Sequence, residues 1–300
     1  MINTRELNWS WQGQDIVLGL DEAGRGPVVL LLPALSSIST RGEMHPLMER
    51  LASRFHTLTI DWPGFGTRSR PEVTWTPNAL SSFLDHLLHD IVSGPHGVVA
   101  AGHAATYVLH HAAHRPGTIA RAALIAPTWR GPLPTMGGGQ RPLFQAIRRA
   151  VETPYVGPLL YRLNVNPFVV RKMVAGHVYS DANWLTGERL AQKRRVIDAA
   201  GARFASAAFV TGACCEPSRI FGAGRARRHP NHGDLWGRNA RTLPSGNRGT
   251  RCASGYQGLA TAAGQAIGPR RISRRRGKSG RAVPFAARII SQQYFRAMSF

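Results

Sequence analysis

Cysteine is scarce in this 300-residue chain. The three present, Cys214, Cys215 and Cys252, include an adjacent pair and form no C-x-x-C. A disulfide framework and a zinc site are therefore not expected, and no metal or cofactor is assigned. Long apolar runs are also missing. No stretch approaches the ~18 consecutive apolar residues a membrane span needs, so no membrane partner is expected. The opening Met1-Ile2-Asn3-Thr4-Arg5-Glu6-Leu7 is polar where a secretory leader needs an apolar core. A cytoplasmic location is the expectation.

Acidic residues are sparse overall, and their shortage is uneven. The formal net charge is +22. Residues 214–300 hold 17 Lys and Arg against two acids, Glu216 and Asp234. Such asymmetry is the usual mark of a nucleic-acid or membrane arm. Aromatic residues for base stacking are few there, among them Trp236, Tyr256, Phe285, Tyr294 and Phe295. Only non-specific, salt-sensitive contact with nucleic acid is expected, through residues 219–281. Gly222-Ala223-Gly224 starts like a dinucleotide loop, but the third glycine is absent and no clear strand precedes it.

The first two-thirds of the chain alternate strand and helix signals. Leu7–Trp11 and Asp15–Leu20 read as short strands about a turn at Gly13. Val28–Leu32 is a continuous apolar run, as a strand covered on both faces should be. Gly42–Arg54 places Met44, Leu47, Met48 and Leu51 at helical spacing. His56–Ile60 is the next strand and runs into Asp61-Trp62-Pro63-Gly64-Phe65-Gly66, a loop signal. A helix over Asn78–Val92, a buried strand over Gly97–Ala101, a helix over Ala105–His114 and a strand over Ala120–Ile125 follow. This alternation predicts an α/β fold: a mostly parallel sheet with helices on both faces.

The rhythm then changes. Residues 130–200 show helical patches at Leu143–Val151, Val156–Leu163 and Trp184–Ala199, with no clear strand, and read as a helical cap or lid insertion. Phe204–Thr211 reads as a return to the sheet. The expected organisation is a core of residues 1–129 and 201–213, a cap of 130–200, and a basic, irregular tail of 214–300. The tail shows no sustained periodicity where two more strands and their helices belong. One expected explanation is a reading frame displaced near codon 213; the other is a real, disordered tail. Codons for His232–Ala240 and Gly264–Ile272, read one base later, can encode a strand-like segment and a histidine-bearing one. In that case the basic run Arg270–Lys278 is incidental.

Val98-Val99-Ala100-Ala101-Gly102-His103-Ala104-Ala105-Thr106 resembles the nucleophile elbow of the α/β-hydrolase superfamily, G-x-S-x-G at a sharp strand-to-helix turn. Gly102 matches the first glycine and His103 the variable position. Ala104 holds the nucleophile position and Thr106 the place of the last glycine. The Asp61–Gly66 loop is similar to the D-x-P-G-x-G turn common after the fourth strand of that superfamily. The elbow and the Ala126-Pro127-Thr128-Trp129-Arg130-Gly131-Pro132-Leu133-Pro134 stretch resemble plant and cyanobacterial α/β-hydrolase-like proteins, some of which also lack the elbow serine.

The resemblance implies an ester-type hydrolase scaffold with its nucleophile position vacant. Alanine has no hydroxyl and forms no acyl-enzyme. Thr106, two residues into the helix, should point elsewhere. His103 is a candidate base for activating water, or a histidine tucked under neighbouring loops. The backbone N–H groups of Ala34 or Leu35, with that of Ala105, are candidates for an anion-binding pair. Glu216 is the only carboxylate near the place of the triad acid, and His229 and His232 come too early for the triad histidine. His110 and His114 share i,i+4 spacing, but no acid or cysteine joins them within a turn. The expected function is that of a catalytically impaired or non-classical hydrolase relative holding a small molecule between core and cap. The alternatives are water-activated hydrolysis of small esters or nucleic-acid binding through the tail.

Overall fold

The computed structural model describes residues 1–68, 70–92, 94, 96–166, 168 and 187–215, together with the backbone of 286–290. Among them, seven strands form one mixed sheet in the order β1-β2-β4-β3-β5-β6-β7. β1 (Asn3–Trp11) and β2 (Gln14–Ala23) form an antiparallel hairpin, and β2 also runs antiparallel to β4 (His56–Ile60). β3 (Val28–Leu32), β5 (His96–Ala101), β6 (Ile119–Ile125) and β7 (Ala286–Ile290) continue the sheet in parallel with β4.

Strand side chains alternate between two cores, as the pleat requires. Leu30, Leu32, Leu58, Ile60, Val98, Ala100, Ala122 and Leu124 face one side. There they meet α2 (Pro77–His86), which runs on as a π-turn over Leu87–Ile91, and α3 (Ala104–His114). Val29, Leu31, Val99, Ala101, Ala123 and Ile125 face the other side and meet Met44, Leu47, Met48 and Leu51, from the short Arg41–Met44 turn and α1 (His45–Leu51). Burial on both faces is why these strands read as unbroken apolar runs.

After β6 come α4 (Pro132–Met136), α5 (Pro142–Glu152), α6 (Val156–Asn164), α7 (Gly187–Ile197) and α8 (Ala202–Val210). The described residues of the segment 130–200 form helices joined by turns, with no strand among them, and Trp184–Thr186 lie outside the described residues.

Two sequence expectations are corrected. Phe204–Thr211 was expected to rejoin the sheet, but Ala202–Val210 is the helix α8. Four of its nine residues are alanine, the strongest helix former. Phe204, Ala205 and Ala208 share one helical face and bury it against the core. The sheet position next to β6 goes instead to Ala286–Ile290, inside the tail expected to be irregular. A five-residue strand carries too little periodicity to be recognised in a Gly- and Arg-rich context. Glu216, His229, His232, the cationic stretch 219–281 and the segments tied to a displaced frame lie outside the described residues.

Two buried histidines make this fold sensitive to acid. His96 at the start of β5 bonds to the Leu88 carbonyl at 3.2 Å. His111 on α3 lies 2.6 Å from Asp85. Burial pushes both imidazoles below their ordinary value of 6.5, outweighing those partners. A base with a depressed folded pKa takes up protons more readily when unfolded. Its stabilisation is therefore present above about pH 6.5 and lost as pH falls through the folded pKa. The urea midpoint is expected to drop steadily between about pH 7 and pH 5, with a shallower drop in His111→Gln.

Candidate functional site

The site is built where β5 turns into α3. After Ala101, Gly102 takes φ +53°, the left-handed region. A side chain there would press on Ala34 Cβ at 3.1 Å, so glycine suits both the turn and the close approach. The Gly102 N–H donates to Ile125 O at 2.9 Å, and the Thr128 N–H donates to Gly102 O at 3.2 Å. The elbow is thus tied to the end of β6, where Ala126 is itself left-handed at φ 44°.

His103 has ordinary right-handed dihedrals and precedes α3, which begins at Ala104. Positive φ in this turn falls on Gly102 and not on Ala104. The strained backbone that presents a nucleophile in an elbow is therefore absent at Ala104, the position that the sequence resemblance aligns with the nucleophile. Ala104 is 0% exposed and belongs to the same apolar cluster as Tyr107, Phe204, Ala205, Ala208 and Cys214.

The sequence-derived candidates take the following places. Thr106 donates its hydroxyl to Thr128 O at 2.7 Å and is buried, so it ties the helix to the loop after β6. The Ala105 N–H donates to Gly102 O at 3.3 Å within the turn and is already engaged. Ala34 sits against Gly102, and Leu35 is buried beside the same core. The loop carrying them is fixed by Trp62, whose indole N–H donates to Pro33 O at 3.0 Å. Elbow and candidate oxyanion loop are brought together, while Glu216 lies outside the described residues. His114 Nδ1 bonds back to His110 O at 2.8 Å, and no third ligand joins that pair among the described residues.

His103 is 6% exposed. Its Nδ1 lies 2.7 Å from the Thr128 hydroxyl, and its ring meets Phe209 edge-on at 5.0 Å. Its Nε2 is buried without a hydrogen-bond partner of ordinary geometry among the described residues. The structure adds a neighbour that sequence reasoning passed over. Just past α8 stands Cys215, and the His103 ring is among the groups that lower its thiol. The Cys214 thiol above all, then the His103 ring and the Gly131 N–H, hold the Cys215 thiol well below its ordinary value against the opposing effect of burial. Cys214 is pushed the other way by the same bond and by its own burial. An adjacent cysteine pair just after an alanine-rich segment was the available signal. Its partner, a histidine more than 100 residues earlier, was not visible along the chain.

Beyond the elbow, Arg41 bridges two carboxylates at the ends of β2 and β4. Its Nη1 is 2.5 Å from Asp61 Oδ2 and its backbone N–H 2.8 Å from Asp61 Oδ1. Its Nε lies 2.9 Å from Asp21 Oδ2 without directing its hydrogen there. Asp21 also receives His45 at 2.7 Å and Thr4 at 2.8 Å. An open cleft of about 510 Å³ lies elsewhere, lined by Met1, Asn3, Glu22, Arg25, Ala52 and His56 among others. No elbow residue lines it.

With this geometry in place, comparison with known proteins identifies the class. Residues 29–268 match the model of the Alpha/beta hydrolase family. The chain belongs to the α/β-hydrolase family. A 2-(acetamidomethylene)succinate hydrolase from Mesorhizobium japonicum is 33% identical over 79 residues, 26% of this chain and 28% of that protein. The chain therefore aligns with little more than a quarter of that relative's length. Among solved structures, the epoxide hydrolase CorEH is similar at TM-score 0.52 and 16% identity, over 70% of this chain and 74% of that one. The haloalkane dehalogenase DatA from Agrobacterium tumefaciens C58 is similar at TM-score 0.53 and 16% identity, over 73% and 72%. At such identities these structures support the fold alone. No helix among the described residues is long and apolar enough to cross a membrane.

Proposed function

We propose that this member of the family does not carry out serine-type hydrolysis and serves as a small-molecule-binding or non-classical relative. The observation behind this reading is Ala104. The nucleophile position has no hydroxyl, has helical backbone geometry and is fully buried in the apolar core. Residues 130–200 act in this reading as a cap over the core of 1–129 and 201–213. A small ligand enters between them when α8 and its neighbours shift. The cationic stretch 219–281 adds only non-specific, salt-sensitive attraction to nucleic acid.

A second reading is supported by His103. Thr128 holds Nδ1, and Nε2 remains as a base that could take a proton from water. In the described state His103 is 6% exposed and Phe209 stands edge-on against its ring, so this chemistry also needs α8 to move.

A p-nitrophenyl acyl series on the unchanged chain and on Ala104→Ser tests both readings. Neither protein is expected to show multiple turnover above the uncatalysed background. A serine hydroxyl at a site 0% exposed faces a burial cost of about 1–3 kcal/mol and meets no aligned base. Sustained turnover by the unchanged chain would overturn the first reading. Its loss in His103→Ala would establish the second.

A further inference from the structure

The helices after β6 leave part of their apolar surface in solvent. On α6, Gly157 and Tyr161 face the body of the protein. A side chain at Gly157 would collide with the Val151 carbonyl at the end of α5, and the Tyr161 hydroxyl donates to Ile197 O at 3.0 Å. Val156, Leu159 and Leu163, spaced i, i+3 and i+7, lie on the opposite face of that helix. Leu159 is 60% and Leu163 59% exposed. α5 packs beside α6 and repeats the pattern. Its Phe144 is buried, while Leu143 and, one turn on, Ile147 are exposed. Tyr155, between the two helices, is 92% exposed. Single exposed apolar residues are ordinary, but rows of them on neighbouring helices mark a surface that meets something apolar.

Charge narrows the choice of partner. Residues 130–165 hold five arginines and one acid, Glu152. Glu152 lies 3.8 Å from Arg148, and both are partly buried. Arg130, Arg141, Arg149 and Arg162 are exposed. A second copy docked here about a two-fold axis would bring one arginine-rich surface against another. An anionic bilayer suits both parts of the face. Its acyl boundary takes the leucine and tyrosine side chains, and its headgroups take the arginines.

We propose that the outward face of α5 and α6 docks on the surface of an anionic lipid bilayer. No described helix is long and apolar enough to cross a membrane, so the contact is peripheral. Both helices lie in the headgroup plane and the sheet stays in water. The sequence expectation of no membrane partner rested on the lack of a long apolar run, and a surface contact needs none. This inference is independent of the reading of Ala104, because it concerns where the chain sits and not what its elbow does.

The test is co-sedimentation of the full chain with vesicles at about 0.15 M salt, where attraction between exposed charges is largely screened. Phosphatidylcholine vesicles with about 30% phosphatidylserine should bind at least tenfold more of the chain than phosphatidylcholine alone. The double substitution Leu159→Gln/Leu163→Gln should lower that binding at least about tenfold, because two leucines no longer enter the acyl boundary. Arg149→Gln/Arg162→Gln should lower it by about tenfold or more. Both leucines are exposed and glutamine suits a helix, so the leucine variant should keep its melting temperature within about 2 °C. Binding that persists in that variant would be attraction through basic residues alone, as expected of residues 219–281, and would overturn the proposal. No binding to either vesicle would overturn it too. So would a dimer in sedimentation equilibrium that dissociates in the leucine variant, which would seat a second copy on this face. A larger fall in that variant's melting temperature would mean that the face is covered within the chain, and would also overturn the proposal. Ester turnover, which tests the reading of Ala104, enters none of these measurements.

Discussion

Arg41→Ala is expected to lower the unfolding free energy by about 3–5 kcal/mol, the cost of leaving a buried carboxylate without its charge partner. The guanidinium sits between Asp21 and Asp61, and both carboxylates are almost wholly buried. Asp21 keeps His45 and Thr4 after the substitution, whereas Asp61 keeps only the Arg41 backbone N–H among these bonds. Burial already holds Asp61 above the ordinary carboxylate value, with Arg41 as the main opposing influence. Without that guanidinium its folded pKa rises further. An acid whose folded pKa exceeds its unfolded one binds protons preferentially in the native state, so stability falls as pH rises through that window. The deficit of Arg41→Ala should therefore be largest near neutral pH and narrow towards about pH 5, read from urea midpoints at each pH. Arg41→Lys keeps the charge but loses the fork that reaches two carboxylates, and should fall between the two. An equal deficit at both pH values would show that lost packing, not the unpaired Asp61, dominates.

Trp62→Ala should cost a similar amount, about 3–5 kcal/mol, for a different reason. Trp62 is wholly buried, packs at 6.0 Å against Phe83 and 5.5 Å against Tyr107, and donates to Pro33 O. It joins the loop after β4 to the loop after β3, which carries Ala34 against the elbow. Trp62→Phe refills most of the volume but strands the Pro33 carbonyl, a loss of about 1–3 kcal/mol. Thermal denaturation of the pair separates the two contributions. If Trp62→Phe is as damaging as Trp62→Ala, the hydrogen bond, and not the ring volume, holds these loops.

The parallel strands were legible because both faces of the sheet are covered. Val28–Leu32 and Val98–Ala101 could therefore be written as nearly pure apolar runs, and little else in a chain of this composition looks like that. The elbow was legible because glycine is needed where the turn approaches Ala34. The missing hydroxyl at Ala104 was legible because it depends on residue type alone. The strand at Ala286–Ile290 was not, since five residues without flanking signals gain their state only by pairing with β6.

The segment 202–210 marks the division most clearly. Its apolar residues and its position suit a strand, and its alanines suit a helix. Propensity is a weak prior that packing settles. Once β7 occupies the place beside β6, this segment buries Phe204, Ala205 and Ala208 in the core as a helix. That choice sets Phe209 edge-on against the His103 ring. By itself the sequence determined the class of fold and the absence of a serine at the elbow, because hydrophobic pattern and residue identity are local properties. Only the tertiary structure decided what surrounds the elbow, because bringing Phe209 to an imidazole more than 100 residues earlier depends on how the chain packs.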